Sequence, residues 1–427
     1  MEFKDSGIAW IGQIPKHWEV IRNKYILSGL YSGGTPTSGT ANFYTDEDYG
    51  IPFVSIGDMS KKEFIESTKT KITKFGILDK NLKILPKNTI LYSIYATIGE
   101  VAELKCSATI SQALLALFVK NSYNKQFYKY NLKAMKDYIF FESSGTTQFN
   151  LNAKKVLNFS FVLPPLNEQK EIAEFLDKKC EIIDKRLSNL ERKIKSLKEY
   201  KKSLISECVT KGLNPKNMEF KDSGISWCPQ IPSDWQVINP KILFKQRNQK
   251  AKSGEIQYTA SQEFGIISQE EYTRKTGYNM VKVLKGFDIL KHVEVGDFVI
   301  SMRSFQGGLE YSNVSGSISS AYVMLIPNSK FVNNRYFRWL FKSSKYIDAL
   351  QSTTNLIRDG QAMRYSNFAL IKLIVPSLNE QKEIAEFLDK KCEKIDRLNE
   401  NYTKQITALK EYKKSLIYEC VTGKKEI

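Results

Sequence analysis

Residues 166–181 read LNEQKEIAEFLDKKCE, and residues 378–393 read the same sixteen letters. The identity resumes downstream as LKEYKKSLISECVT (197–210) against LKEYKKSLIYECVT (409–422). Both copies follow proline, Pro164 and Pro165 in one and Pro376 in the other. Asn167 or Asn379 stands next as a candidate N-cap, and Glu168 or Glu380 puts negative charge at the positive helix end. Apolar residues then recur every three or four positions. In the first copy they are Ala173, Leu176, Cys180, Ile183, Leu187, Leu190, Ile194, Leu197, Leu204 and Cys208. In the second they are Leu388, Cys392, Ile395, Tyr402, Ile406, Leu409, Leu416 and Cys420. This predicts two long helices with a heptad seam, each roughly 60 Å in length. Lys201 and Lys413 interrupt the seam in both copies, and Asn399 interrupts it in the second. A lone amphipathic helix of this length leaves its seam wet, so the two are expected to pair, antiparallel, within the chain. Packing of each helix on its own domain, or on another chain, is the alternative.

A second repeat precedes the first. MEFKDSGIAWIGQIPKHWEV (1–20) and MEFKDSGISWCPQIPSDWQV (218–237) agree at 14 of 20 positions. The segments between the repeats show no comparable identity. The scaffold is therefore duplicated and the inserts are not, which sets the architecture before any local reading. The expected parts are a scaffold segment 1–20, an insert 21–160, a long helix region 161–212, a second scaffold segment 213–237, an insert 238–373 and a long helix region 374–427. The same order of parts occurs twice, so the chain can close into a pseudo-two-fold circular body.

The inserts mix strand and helix signals, which predicts an α+β class. IPFVSIGD (51–58), NTILYSIYATIG (88–99), ALLALFV (113–119), DFVISMRS (297–304) and SAYVMLIP (320–327) read as strands. FYKYNLKAMKDYIFF (127–141) and NRYFRWLFKSSKYIDALQ (334–351) read as amphipathic helices.

Charge points to the partner. The chain of 427 residues has a formal net charge of +18. The inserts carry most of that excess, +7 on 21–160 and +9 on 238–373. A basic face favours a polyanion, most simply nucleic acid. Arginine is unevenly spread: the first insert has Arg22 alone, the second has Arg247, Arg274, Arg303, Arg335, Arg338, Arg358 and Arg364. Because arginine suits guanine, the second insert is expected to read the more G·C-rich sequence. Candidate base readers lie in polar loops. In the first insert they are Thr35, Thr37, Tyr95, Thr97, Gln112, Thr146, Thr147 and Gln148. In the second they are Arg303, Gln306, Ser319, Tyr322, Arg358, Gln361 and Arg364.

Catalytic chemistry has little to draw on. Two histidines, His17 and His292, stand far apart, and none of the six cysteines forms a CxxC pair, so neither a triad nor a zinc site is indicated. There is no GxxxxGK[ST] loop and no Asn-Pro-Pro-aromatic run. No apolar run reaches the length of a membrane span and the first residues carry no signal-peptide core, which suggests a reducing cytoplasm.

The repeated KDSGIAWIGQIPKHWEV-like opening and the repeated (L/V)-P-x-L-N-E-Q-K-E-I helix start resemble the specificity subunit of type I restriction–modification systems. GGTPTSGTANFYTDEDYGIPFVSIGDM and SGTTQFNLNAKKVLNFSFVLPPL in the first insert resemble the loops and exit of a target-recognition domain. The resemblance implies a non-catalytic subunit in which each insert reads one half of a bipartite double-stranded DNA target and the helices set the gap. It implies two methyltransferase subunits as partners, holding the S-adenosylmethionine that this chain does not bind, with motor–nuclease subunits able to join. Docking is expected at the helix starts, around Asn167, Glu168, Gln169, Asn379, Glu380 and Gln381. The second insert lacks the GGTP loop, so fewer residues carry over to it. A fused methyltransferase–nuclease and a coiled-coil adaptor that does not touch DNA are the competing readings.

Overall fold

The computed structural model describes residues 2–59, 62–143, 151–280, 283, 287–301, 304–353 and 364–427. The chain divides into two compact units, one formed by Met1–Leu190 with Lys404–Ile427 and the other by Glu191–Thr403. The two long helices, Leu166–Lys211 and Leu378–Val421, each contribute to both.

In the first unit the incoming strand β1 (Glu19–Arg22) leads to β2 (Leu27–Ser32), followed by β3 (Phe64–Ile65), β4 (Ile90–Ser93), β5 (Val101–Leu104), β6 (Leu114–Val119) and β7 (Ser160–Leu163). A five-stranded sheet runs in the order β2-β6-β4-β5-β3. All its pairings are antiparallel except β5 with β3. A smaller sheet joins Tyr44–Thr45, Ile51–Val54, Thr70–Ile72 and Thr109–Ile110 beside the helix α1 (Lys74–Asp79). The apolar runs predicted as strands are shorter than their sequence windows; 51–58, for example, is strand to Val54 and then a helical turn, Ile56–Met59. Helix α2 (Lys125–Ser143) covers the 127–141 prediction. It starts at Asn124, whose Oδ1 accepts the Phe127 N–H at 2.8 Å. The long helix Leu166–Lys211 is α3.

The second unit repeats this plan in different letters. Its strands are β8 (Gln236–Ile238), β9 (Phe244–Arg247), β10 (Phe298–Ile300), β11 (Glu310–Tyr311), β12 (Val323–Pro327) and β13 (Leu373–Val375). The sheet order β9-β12-β10-β11 matches β2-β6-β4-β5 of the first unit. In both units the strand entering the insert pairs with the strand leaving it, β1 with β7 and β8 with β13. The 334–351 segment is two helices, not one: α4 (Asn334–Lys342) and α5 (Ser344–Ser352). Between them Ser343 is extended at ψ 144, with its Oγ bonded to the Leu340 carbonyl at 2.7 Å, a side-chain bond that competes with helix continuation.

The second long helix, Leu378–Val421, is α6. In the first unit the start of α3 and the end of α6 share one core: Ile172, Leu176, Cys180 and Ile183 with Leu416, Ile417, Cys420 and Val421. In the second unit the end of α3 and the start of α6 do the same, through Ile205, Cys208 and Val209 with Ile384, Leu388 and Cys392. Within each unit the helices therefore run antiparallel. The lysines that interrupt the seam are answered across it: Lys413 Nζ lies 2.7 Å from Asp184, and Lys201 Nζ 2.6 Å from Asp396. Asn399 Oδ1 is buried without a hydrogen bond, a polar cost within the seam of α6.

Both helix starts fall two residues earlier than expected. The carbonyls of Pro165 and Ser377 accept the first helical bonds, from the N–H groups of Gln169 and Gln381 (3.0 and 2.9 Å), so these residues are the N-caps and Asn167 and Asn379 sit in the first turn. At the far ends Gly212 and Gly423 take left-handed φ values of 75° and 72°. A Cβ on Gly423 would lie 2.4 Å from Pro15 Cδ, so only glycine lets the opening segment pack on this helix end.

Candidate nucleic-acid interface

Strand register decides which predicted readers meet. In the first unit Leu115 pairs with Ser32 and Leu114 with Ser93. The loop leaving β2, the loop leaving β4 and the turn entering β6 therefore emerge at one edge. Thr35, Tyr95, Thr97 and Gln112 are brought together there, and Thr35 Oγ1 accepts the Gln112 N–H at 3.5 Å. The Tyr95–Thr97 turn is held by Ser93, whose Oγ donates to the Thr97 carbonyl and accepts the Glu100 N–H. In the second unit Arg247 pairs with Met324 and Ile300 with Val323. The equivalent edge carries Gln306, Ser319 and Tyr322. Tyr322 is half-buried, and its carbonyl accepts Lys291 Nζ at 2.7 Å. Tyr322 and Ser319 also line a pocket of about 440 Å³ with Gln257, Gln269, Tyr278 and Asn279.

Other readers have different surroundings. Thr37 donates through both N and Oγ1 to Asp79 Oδ2, at 2.9 and 3.1 Å, and so ties the GGTPT loop to α1. Gly33 serves packing, since a Cβ there would fall 2.2 Å from the Ser111 carbonyl oxygen. Arg364 is exposed; its neighbour Tyr365 bonds the Phe244 carbonyl at the opposite end of β9 from that edge. Thr146, Thr147, Gln148, Arg303, Arg358 and Gln361 lie outside the described residues.

Several arginines of the second insert are engaged within their own unit. Arg247 makes a two-pronged pair with the buried Asp297, at 2.7 and 3.0 Å. Arg335 pairs with Asp389 of α6 at 2.5 Å, Arg338 lies 5.0 Å over the Tyr311 ring, and Arg274 sits 3.8 Å from Glu271. Four of the seven arginines thus have partners inside the unit. Sequence spacing could not reveal this, because each partner except Glu271 comes from a distant segment.

The repeated helix starts are internal knots. Glu168 accepts the Trp18 indole N–H at 3.0 Å, and Glu380 that of Trp235 at 2.9 Å. Gln169 is buried, with Oε1 on the Asn124 N–H (2.9 Å) and Nε2 on the Pro164 carbonyl (2.8 Å). Gln381 repeats this with Asn333 N–H (2.8 Å) and the Pro376 carbonyl (3.0 Å). Each start thus ties an opening segment and an insert helix to a long helix. Asn167 and Asn379 face solvent.

His292 is an electrostatic fixture of the second unit. Its Nδ1 meets Glu255 at 2.9 Å and its Nε2 meets Glu294 at 3.0 Å. Burial pulls its pKa down, but the two carboxylates reverse this and leave it raised. Glu294 is held down to about 2, first by its bond to His292. A raised histidine pKa stabilises the fold fully below the ordinary value of 6.5, and the contribution is lost as pH rises through the folded value. The melting temperature of the full chain is therefore expected to fall as pH rises above about 6.5, and His292→Gln should flatten that fall. Equal pH profiles for the two proteins would refute it.

All six cysteines are free thiols, and burial raises the pKa of each. Among the described residues no group of metal-ligating side chains comes together, and no helix is long and apolar enough to cross a membrane.

Two α+β units of one strand order, built around a duplicated helical scaffold and lacking resemblance in their inserts, define a bipartite recognition protein. The family described as "Type I restriction modification DNA specificity domain" matches residues 15–197 and again 232–408. The chain belongs to this family, as a non-catalytic type I specificity subunit with two recognition domains. It is 26% identical over 448 residues to the putative type I restriction enzyme MjaX specificity subunit of Methanocaldococcus jannaschii, covering 97% of this chain and 95% of that one. It is also 26% identical over 186 residues to the EcoR124I/EcoR124II specificity subunit of Escherichia coli, 42% of each chain. The fold is shared with a chain from a type I restriction–modification assembly (TM-score 0.68, 13% identity, 96% and 98% covered). It is shared too with the HsdS subunit of Thermoanaerobacter tengcongensis (TM-score 0.51, 13% identity, 96% and 98% covered).

Proposed function

We propose that each unit reads one half of a bipartite double-stranded DNA target through the strand edge described above, and that the paired long helices set the gap between halves. The observation that carries this is the recurrence of one strand order, with polar readers at the same edge, in two inserts without sequence resemblance. One shape with two surfaces is what two different half-sites require. Lysines of the inserts supply phosphate contacts, and Thr35, Tyr95, Thr97 and Gln112 in one unit and Gln306, Ser319 and Tyr322 in the other supply base contacts. Arg303, Arg358 and Gln361, with Thr146, Thr147 and Gln148, are further candidates from sequence, and Arg364 is a peripheral one. Two methyltransferase subunits, carrying S-adenosylmethionine, dock on the repeated scaffold around Asn167 and Asn379 and methylate adenine; motor–nuclease subunits cleave. The assembly works in the cytoplasm.

Methylome sequencing of cells expressing the chain with its methyltransferase tests this. A bipartite adenine motif should appear and vanish on deletion of the chain. Gln112→Ala should relax base preference in one half alone, and Ser319→Ala in the other half alone. Relaxation of both halves by either substitution, or the lack of a bipartite motif, would refute the reading.

A further inference from the structure

Helix α1 of the first unit carries large apolar side chains in water. Phe75 is 66% exposed and Leu78 is 73% exposed, and three residues apart on a helix they share a face. The helix does not present them through looseness. Thr73 caps it, accepting the Gly76 N–H at 3.2 Å and donating to the Asn42 carbonyl at 2.6 Å. A Cβ on Gly76 would lie 2.6 Å from the Phe43 carbonyl oxygen, so the inner face is pressed against backbone. Ile77 packs with Phe53, Ile72 and Leu82 on that inner side. Asp79 takes the two bonds from Thr37, and the Lys83 N–H donates to the Tyr31 hydroxyl at 3.0 Å. These contacts fix α1 beside the end of β2 and the GGTPT loop, contiguous with the edge where Thr35 meets Gln112.

The surrounding charge says what covers the ridge. Between residues 69 and 87 stand six lysines (Lys69, Lys71, Lys74, Lys80, Lys83 and Lys87) and one carboxylate, Asp79. That carboxylate is already engaged by Thr37. Lys71 is half-buried and pairs with Asp48 at 3.2 Å, and Lys80 lies 3.6 Å from Asp79; Lys69, Lys74, Lys83 and Lys87 are exposed. A rigid apolar ridge among lysines fits a polyanion that also offers apolar contact, which is duplex DNA with its phosphates, its thymine methyl groups and base steps that an apolar wedge can part. We propose that Phe75 and Leu78 pack against nucleobases of the half-site read by the first unit, while the lysines around them hold phosphates. This rests on reading the first unit as a DNA-recognition unit.

The experiment uses the full chain in complex with its methyltransferase, and duplex DNA carrying the motif mapped by methylation. Phe75→Ala with Leu78→Ala should weaken binding about 10- to 100-fold at fixed salt and leave the slope of log K against log salt unchanged. Lys74→Ala should weaken binding to all sequences alike and reduce that slope by about 0.9. Should the double variant melt early, the single changes Phe75→Ser and Leu78→Ser carry the same readout. An affinity within about threefold of wild type, or a loss accompanied by a reduced slope, would overturn the proposal. So would unchanged DNA affinity with loss of the methyltransferase from the complex, which would make the ridge a protein-docking surface. A wild-type complex that yields no bipartite motif would instead sink the recognition reading beneath it.

Discussion

Trp235→Ala is expected to cost the second unit about 3–5 kcal/mol. Trp235 is fully buried in a core that joins the second opening segment, the end of α3, the start of α6 and the aromatic wall of α4 and α5. Truncation leaves a cavity in that shared core, and removes the N–H that Glu380 accepts at 2.9 Å. Trp235→Phe separates the two effects: it keeps most of the ring volume and strips the bond, at an expected cost of about 1–2 kcal/mol. Hydrogen exchange of the full chain under mild denaturant reads the result locally. Protection should fall in peptides of 205–209, 225–235, 336–346 and 384–392, whose buried residues share that core. Protection there within about 1 kcal/mol of wild type in the alanine variant would show that the tryptophan is not the joint.

Lys129→Met should destabilise the first unit by about 3 kcal/mol, although methionine is the better match for a buried site. Lys129 on α2 is 1% exposed, with Nζ 3.0 Å from Glu103 and 3.8 Å from Glu63. Removing it leaves the buried Glu103 undercompensated. The loss stays at the low end for a broken buried pair because Lys105 and Lys125 still approach Glu103 at 3.3 and 3.4 Å. Adding Glu103→Leu removes the stranded charge, so the double variant should be more stable than Lys129→Met alone. Urea denaturation of the three proteins decides it; a double variant no better than the single one would show that shape, not charge, dominates. A pH signature accompanies it. Burial raises the pKa of Glu103, and the lysines, Lys129 foremost, more than offset this and leave it lowered. A lowered carboxylate pKa stabilises above the ordinary value of 4.5 and loses that contribution as pH falls through the folded value. Wild type should therefore lose stability in acid more steeply than Lys129→Met.

The scaffold was legible in the letters because it is written twice. The helices, their apolar seam and the duplication of the body follow from periodicity and identity, which are one-dimensional properties. The helix-start motif was legible as a motif but not in its work. Gln169 and Gln381 read as surface residues available to a partner, yet both are buried, since the groups they bond, at Asn124 and Asn333, lie about as many residues away as a whole helix–strand unit. The inserts were legible only as strands and helices in sequence. Their common strand order is held in backbone pairing, which many different side chains satisfy, so it left no matching letters.

That two copies of one helical scaffold carry two different inserts, and that basic charge gathers on the inserts, is written in the order of the residues alone. That order also holds both halves of the seam ion pairs, since Asp184 and Lys201 recur as Asp396 and Lys413 at the same spacing. That these pair crosswise, Asp184 with Lys413 and Lys201 with Asp396, follows from the antiparallel register of the folded helices. Folding in three dimensions likewise sets which arginines have partners and which polar loops share an edge. Those outcomes depend on contacts between residues far apart in the chain, and a short-range pattern of hydrophobicity and charge carries no record of them.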